Sequence, residues 1–329
     1  MSELRWHPIL EEWVITATHR QDRTFFPPPD YNPLAPTKPG GFPTEIPAPD
    51  YDIVVFENKF PSLRRDPPAP AVEGTELMPV RPADGVCEVV VYTPQADATL
   101  AELPLDKIEH LIWVWTDRFA ELGARPEVEY VFIFENKGRE IGVTLAHPHG
   151  QIYAYPFIPP KLQTELNAAK KHWDKTGRNL FLDVLQQELE DGRRVVVQND
   201  SFVATVPFFA RYPYEVHITA RRPGASALTD MDRKEQRDLA TILKTILGKY
   251  DNLFGFSLPY MMVLHQRPTT GGADEFPHYQ FHIEFYPPYR TKDKLKYLAG
   301  SESGAGAYIN DTLAEEKAAE LRALEPQSA

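Results

Sequence analysis

Apolar positions along the chain change their period several times, and each change marks an element. Residues 51–60 (YDIVVFENKF) and 87–94 (CEVVVYTP) alternate with β-branched and aromatic residues, which predicts strands. Across 103–123 (LPLDKIEHLIWVWTDRFAELG) the period lengthens. Ile108, Leu111, Ile112, Trp115, Phe119 and Leu122 fall on one helical stripe, with Asp106 near its start and Gly123 just past its end. Residues 128–138 (VEYVFIFENKG) predict a strand running into a turn, and 145–156 (LAHPHGQIYAYP) a turn followed by a strand.

The same order then returns. Residues 192–208 echo the first strand region, and 214–254 repeat strand, polar turn and amphipathic helix. Residues 258–268 (LPYMMVLHQRP) match 129–138 (EYVFIFENKG), and 277–287 (PHYQFHIEFYP) lie against 146–156. This pairing sets His147 on His278, His149 on Gln280, Gln151 on His282 and Tyr153 on Glu284. The expectation is an α+β fold built by tandem duplication, with antiparallel sheets carrying packed helices. The first half, 1–160, contains the Pro-rich segment of 27–82, which reads as extended loop. The second half is 161–329.

Composition narrows the function classes. The 329 residues are 42% hydrophobic and 25% charged, as in a globular protein able to bury a sizeable core. Cys87 is the only cysteine, so no intrachain disulfide is available and a reducing, cytoplasmic setting is expected. No apolar run reaches the length of a membrane span, and the start MSELRWHPIL is not a secretory signal. The net charge of −12 argues against a general nucleic-acid surface but not against a local cationic pocket.

Chemistry concentrates in HPHGQ, 147–151. On a strand, His147, His149 and Gln151 share one face. A neutral imidazole is a competent nucleophile toward phosphorus, provided its second nitrogen is held by an acceptor. The backbone carbonyl of His147, stiffened by Pro148, is placed to be that acceptor. Gly150 would let a phosphate approach. Gln151 can donate an amide N–H to a phosphoryl oxygen without a proton to give away, which favours transfer over hydrolysis.

These residues resemble the galactose-1-phosphate uridylyltransferase family of the histidine-triad superfamily. The resemblance runs through TATHRQDR, FENKF, FENKG, HPHGQIYA, KYDNLF, IEFYPP and AEEKAAELRAL. It implies two histidine-triad-like halves and a double displacement. UDP-glucose gives its uridylyl group to His149, glucose 1-phosphate leaves, and galactose 1-phosphate takes the group. It also implies nucleotide and phosphate contacts from Arg20, Arg23, Phe56, Asn58, Phe134, Glu135, Asn136 and Thr144. Lys296 and Glu302 fall in a sugar-phosphate segment that reaches a neighbouring subunit of a homodimer.

The departures are as informative. The family's structural zinc site falls on Asn32, Ala35, Ala96 and His147, and one ligand cannot hold a tetrahedral zinc, so that site is expected to be absent. A second family metal site falls on Glu165, His265, His282 and Glu284, where a glutamate replaces a histidine but still offers an oxygen to zinc or iron. Ser301 and Tyr308 replace the usual tyrosine and glutamine of the sugar segment, which leaves the hexose open. Two alternatives remain on the sequence: a related adenylyltransferase or nucleotide-sugar phosphorylase, acting for example on ADP-glucose with phosphate, and a non-catalytic nucleotide binder. No nucleic-acid or membrane partner is expected.

Overall fold

The computed structural model describes residues 2–22, 28 and 31–325. In chain order the strands and helices are β1 (Ser2–His7), β2 (Glu12–Ala17), β3 (Val54–Glu57), β4 (Val80–Pro82), β5 (Val86–Val91), α1 (Leu105–Gly123), β6 (Tyr130–Lys137) and β7 (His149–Tyr155). There follow α2 (Pro160–Thr176), α3 (Leu180–Asp191), β8 (Val195–Gln198), β9 (Phe202–Thr205), β10 (Val216–Ala220), α4 (Arg233–Leu253), β11 (Tyr260–His265) and β12 (His282–Tyr286). A short hairpin, β13 (Tyr289–Thr291) with β14 (Lys294–Leu295), and α5 (Ala314–Ala323) complete the chain.

Among the described residues the largest sheet has nine strands in the order β3-β5-β7-β6-β11-β12-β10-β9-β8, with every neighbouring pair antiparallel. The order makes the duplication visible. From the central β6–β11 seam, β7, β5 and β3 lead outward on one side, and β12, β10 and β9 on the other. The helices α1 and α4, each inserted between the second and third strand of its unit, pack on the same face. Their apolar stripes bury Leu111, Trp115, Leu239 and Leu243 in one core with Val90, Ile152, Ile218 and Ile283 of the sheet.

The other face is covered differently in the two halves. Over the first, the Pro-rich segment contributes Leu34, Ile46 and Tyr51 to a small cluster with Val89 and Val91. The hairpin β1–β2 with β4 adds a second, around Leu4, Leu63 and Cys87. Over the second half lie α2 and α3, which the repeat reading does not assign. Their signals are in the sequence: Pro160 opens α2, Leu162, Leu166 and Ala169 face inward, and Gly177 closes it with a φ of 68°. The Asn179 side chain then caps α3 by accepting from the N–H groups of Phe181 and Leu182.

The register corrects the pairing of the two copies. Val89 stands opposite Gln151 and Phe134 opposite Gln151; in the second unit His217 and Val263 stand opposite Glu284. The counterpart of Gln151 is therefore Glu284, and that of His149 is His282. The sequence pairing is out by two residues. Gln280, not His278, takes the place of His147, so both copies keep the central histidine.

Candidate active site

His149 and Gln151 open β7 on the face away from α1 and α4, while Gly150, Ile152 and Ala154 turn into the core. His149 Nδ1 donates to the backbone carbonyl of His147 at 2.7 Å, the acceptor the sequence anticipates. The lone pair of the neutral ring is then on Nε2. The second copy repeats the arrangement, His282 Nδ1 donating to the Gln280 carbonyl at 3.0 Å.

Gln151 is oriented by a chain of bonds. Asn58 Oδ1 accepts the Phe60 N–H at 2.9 Å, which turns Asn58 Nδ2 toward Gln151 Oε1 at 3.4 Å. The Tyr153 hydroxyl reaches the same oxygen at 3.4 Å. With its oxygen facing these donors, the Gln151 amide nitrogen is left to donate elsewhere.

Two adjoining cavities share His149, Gln151, Thr144 and Leu145. One, of about 300 Å³, is walled by Leu34, Phe56, Val89 and Asn58 and suits a flat apolar group. The other, of about 170 Å³, is more polar and is lined by Arg20, Phe134, Asn136 and Tyr153. Arg20 is steadied by a 2.9 Å bond from Nη1 to the Phe60 carbonyl. Arg23 lies outside the described residues.

Two sequence expectations, for Glu135 and Gly150, place differently. Glu135 does not face these two cavities. It is buried on the helix side of the sheet, where it accepts from the Tyr260 hydroxyl at 3.1 Å. Gly150 does not make room for phosphate: a Cβ there would collide with the Tyr92 hydroxyl, on the opposite side from the cleft. Lys296 and Glu302 pair with each other at 3.5 Å in the segment after β12, and Lys296 also donates to the Ile309 carbonyl.

His147 sits behind the cleft, buried, with both ring nitrogens engaged. Asn32 Nδ2 donates to its Nδ1 at 2.8 Å, and its Nε2 donates to the Thr93 carbonyl at 2.7 Å. The residues at the place of the family's structural zinc thus do not fit that ion. Asparagine and two alanines replace three ligands, and neither nitrogen of the one histidine offers a lone pair without breaking a bond.

The other metal-ligand set is brought together. Donor atoms of Glu165, His265, His282 and Glu284 all lie within 4.8 Å of one another, and His265 Nδ1 meets Glu165 at 2.9 Å. Burial, and the neighbouring His265, push His282 down to about 4. Burial would raise the Glu165 carboxyl, but His265 and His282 outweigh it and hold it low. A neutral imidazole beside an ionised carboxylate suits a metal of intermediate softness. Residues not singled out from the sequence complete the surroundings. Lys161 pairs with Glu284 at 2.5 Å, and His217 Nε2 lies 3.4 Å from Glu284 while donating to Glu215 at 2.8 Å. The alternation Glu215, His217, Thr219 in YEVHITA marks one strand face and is the signal for them.

Comparison with known proteins settles the family. The N-terminal domain model of galactose-1-phosphate uridyl transferase matches residues 1–159, and the C-terminal domain model matches residues 165–328. The chain belongs to the galactose-1-phosphate uridylyltransferase family. The galactose-1-phosphate uridylyltransferase of Thermotoga maritima is 42% identical over 328 residues, covering 99% of both chains. That of Rattus norvegicus is 34% identical over 98% of this chain and 87% of its own. A solved uridylyltransferase structure superposes with a TM-score of 0.87 at 35% identity, covering 98% of this chain and 97% of that one. As a member of the uridylyltransferase family, the chain carries the HPHGQ strand in a cleft with one apolar and one polar compartment.

Proposed function

We propose that the cleft moves a uridylyl group from UDP-glucose to His149 and then to galactose 1-phosphate. His149 Nε2 attacks the α-phosphorus, a P–N bond forms, and the P–O bond to glucose 1-phosphate breaks with its electron pair leaving on the phosphate oxygen. The second half-reaction reverses the roles: a phosphate oxygen of galactose 1-phosphate attacks, and the P–N bond breaks back to neutral imidazole. A phosphate leaves without needing a proton at neutral pH, so the site needs no general acid. That is why an amide, and not an acid, suits position 151. While His149 carries the group its ring is cationic, and the His147 carbonyl accepting from Nδ1–H stabilises it.

The observation that carries this reading is the 2.7 Å bond from His149 Nδ1 to the His147 carbonyl at the meeting of the two compartments. Phe56 and Asn58 would wall the uracil and ribose, and Arg20, Arg23, Asn136 and Thr144 would face the phosphates, Phe134 packing beside them. Glu135 would support β6 from behind. Lys296 and Glu302 would meet the sugar phosphate of the partner subunit's cleft in a homodimer. Glu165, His265, His282 and Glu284 would hold a zinc or iron ion, which when bound ties α2 to β11 and β12. Each half, 1–160 and 161–329, would thus keep a histidine on its central strand, one for chemistry and one for cohesion. No helix among the described residues is long and apolar enough to cross a membrane; the reading of a cytoplasmic setting rests on Cys87 being the one cysteine of the chain.

Initial-rate kinetics test the proposal. Varying UDP-glucose against galactose 1-phosphate should give parallel double-reciprocal lines. Intersecting lines, or turnover only with ADP-glucose and inorganic phosphate, would move the protein to the related phosphorylase chemistry.

A further inference from the structure

We infer that Asn32 is a positioning residue for the nucleophile, doing by hydrogen bonding what a metal cannot do at this place; the inference rests on His149 being the nucleophile. The bonds fix one another in sequence. Backbone N–H groups can only donate, so the 3.0 Å bond from Leu34 N to the Asn32 side chain assigns Oδ1. Asn32 Nδ2 then faces His147 Nδ1 at 2.8 Å, and Nδ1 must accept. The ring proton is therefore on Nε2, where the Thr93 carbonyl receives it at 2.7 Å. The Tyr51 hydroxyl buttresses the same point, 3.2 Å from His147 Nε2 and 2.9 Å from the carbonyls of Leu34 and Thr93.

The consequence reaches the cleft through the backbone. With both nitrogens held, the His147 ring cannot swing, and Pro148 stiffens the next link. The His147 carbonyl then stays aimed at His149 Nδ1. The second copy provides an internal parallel. Gln280, in the place of His147, donates its amide to the carbonyls of Ala220 and Arg222, both at 2.8 Å, and its own carbonyl accepts from His282. Each copy thus locks the residue two positions before the histidine onto backbone carbonyls at or just past the end of the neighbouring strand. In the first copy the donor must come from outside, because a neutral imidazole has one proton and two nitrogens to satisfy. Asn32 supplies it from the Pro-rich segment, which also walls the cavity through Leu34.

The experiment has two arms on the full chain. Ring ¹⁵N NMR of the parent should show His147 protonated on Nε2 alone at neutral pH. In Asn32→Asp, whose carboxylate cannot donate, a proton should appear on Nδ1. In the second arm, single-turnover formation of the uridylyl-enzyme from UDP-glucose should fall at least tenfold in Asn32→Ala and Asn32→Asp, with KM for UDP-glucose within about threefold of the parent. A parent His147 protonated on Nδ1 would overturn the inference whether or not any variant folds. So would an Asn32→Ala enzyme that forms the adduct at the parent rate, or one whose KM and rate collapse together with its melting temperature. A parent that forms no adduct at all would instead sink the transfer reading, and the NMR arm would still judge the anchoring of His147.

Discussion

Side chains two residues apart on β7 carry the chemistry, and the residue between them carries the constraint. The use of the His147 carbonyl to hold His149 was legible in the sequence, because strand alternation and Pro148 leave that carbonyl beside the ring. The reason for Gly150 was not, since the neighbour that excludes a side chain is Tyr92, the residue just after β5 and 58 positions away (150 − 92). Gly150→Ala should therefore destabilise the fold by about 1–3 kcal/mol through overpacking and slow transfer by displacing His149. Urea denaturation and steady-state rates would show it. An alanine variant of parent stability that lost only affinity for phosphate would restore the simpler reading. Glu135 gives a pH prediction of the same kind. Burial raises its carboxyl to about 7, with Lys137 and the Tyr260 hydroxyl opposing. Its folded-state value is thus above that of the unfolded chain, so its contribution is intact below pH ~4.5 and is lost as pH rises through ~7. Glu135→Gln should gain on the order of 1–3 kcal/mol over the parent at pH 8 and little at pH 5. An equal difference at both pH values would show that the carboxyl does not titrate this way.

At the scale of elements, the duplication could be read from the order of strands and helices, but not the register between copies. Strand faces repeat every two residues, so a slip of two preserves every in-and-out pattern and leaves the pairing of HPHGQ with HYQFHIE undecided. Hydrogen-bonded partners decide it: His282 holds to the carbonyl of residue 280 as His149 holds to that of 147. The two central strands have diverged by what covers them. Over β7 the Pro-rich segment leaves a cleft; over β12 the helices α2 and α3 bring Glu165 against His265 and enclose the metal-ligand set. A metal bound there joins α2 to the sheet and should stabilise by binding only the folded state. Chelation should lower the melting temperature by several degrees while leaving transfer within about twofold, and elemental analysis of a Glu165→Ala, His282→Ala double variant should find no stoichiometric ion. Loss of turnover on chelation without a fall in melting temperature would contradict a purely cohesive role.

Over the whole molecule, the family resemblance carried the fold and the reaction because its motifs lie along the entire chain, and the domain models cover 1–159 and 165–328. It located Asn32 in place of a metal ligand and Glu284 in place of a histidine, but not the bonds they make, nor the Lys161 and His217 groups that surround that glutamate. Each is a local repair that depends on residues distant in sequence, and no short motif announces it. The reaction itself hinges on one covalent species. Incubating the protein with UDP-glucose labelled in the uridine, in the absence of acceptor, and mapping the label by peptide mass spectrometry tests it directly. The account predicts one equivalent of uridylyl group on His149, discharged by galactose 1-phosphate and absent from a folded His149→Gly variant. Label on another residue, label from ADP-glucose but not UDP-glucose, or undiminished turnover in His149→Gly would contradict it.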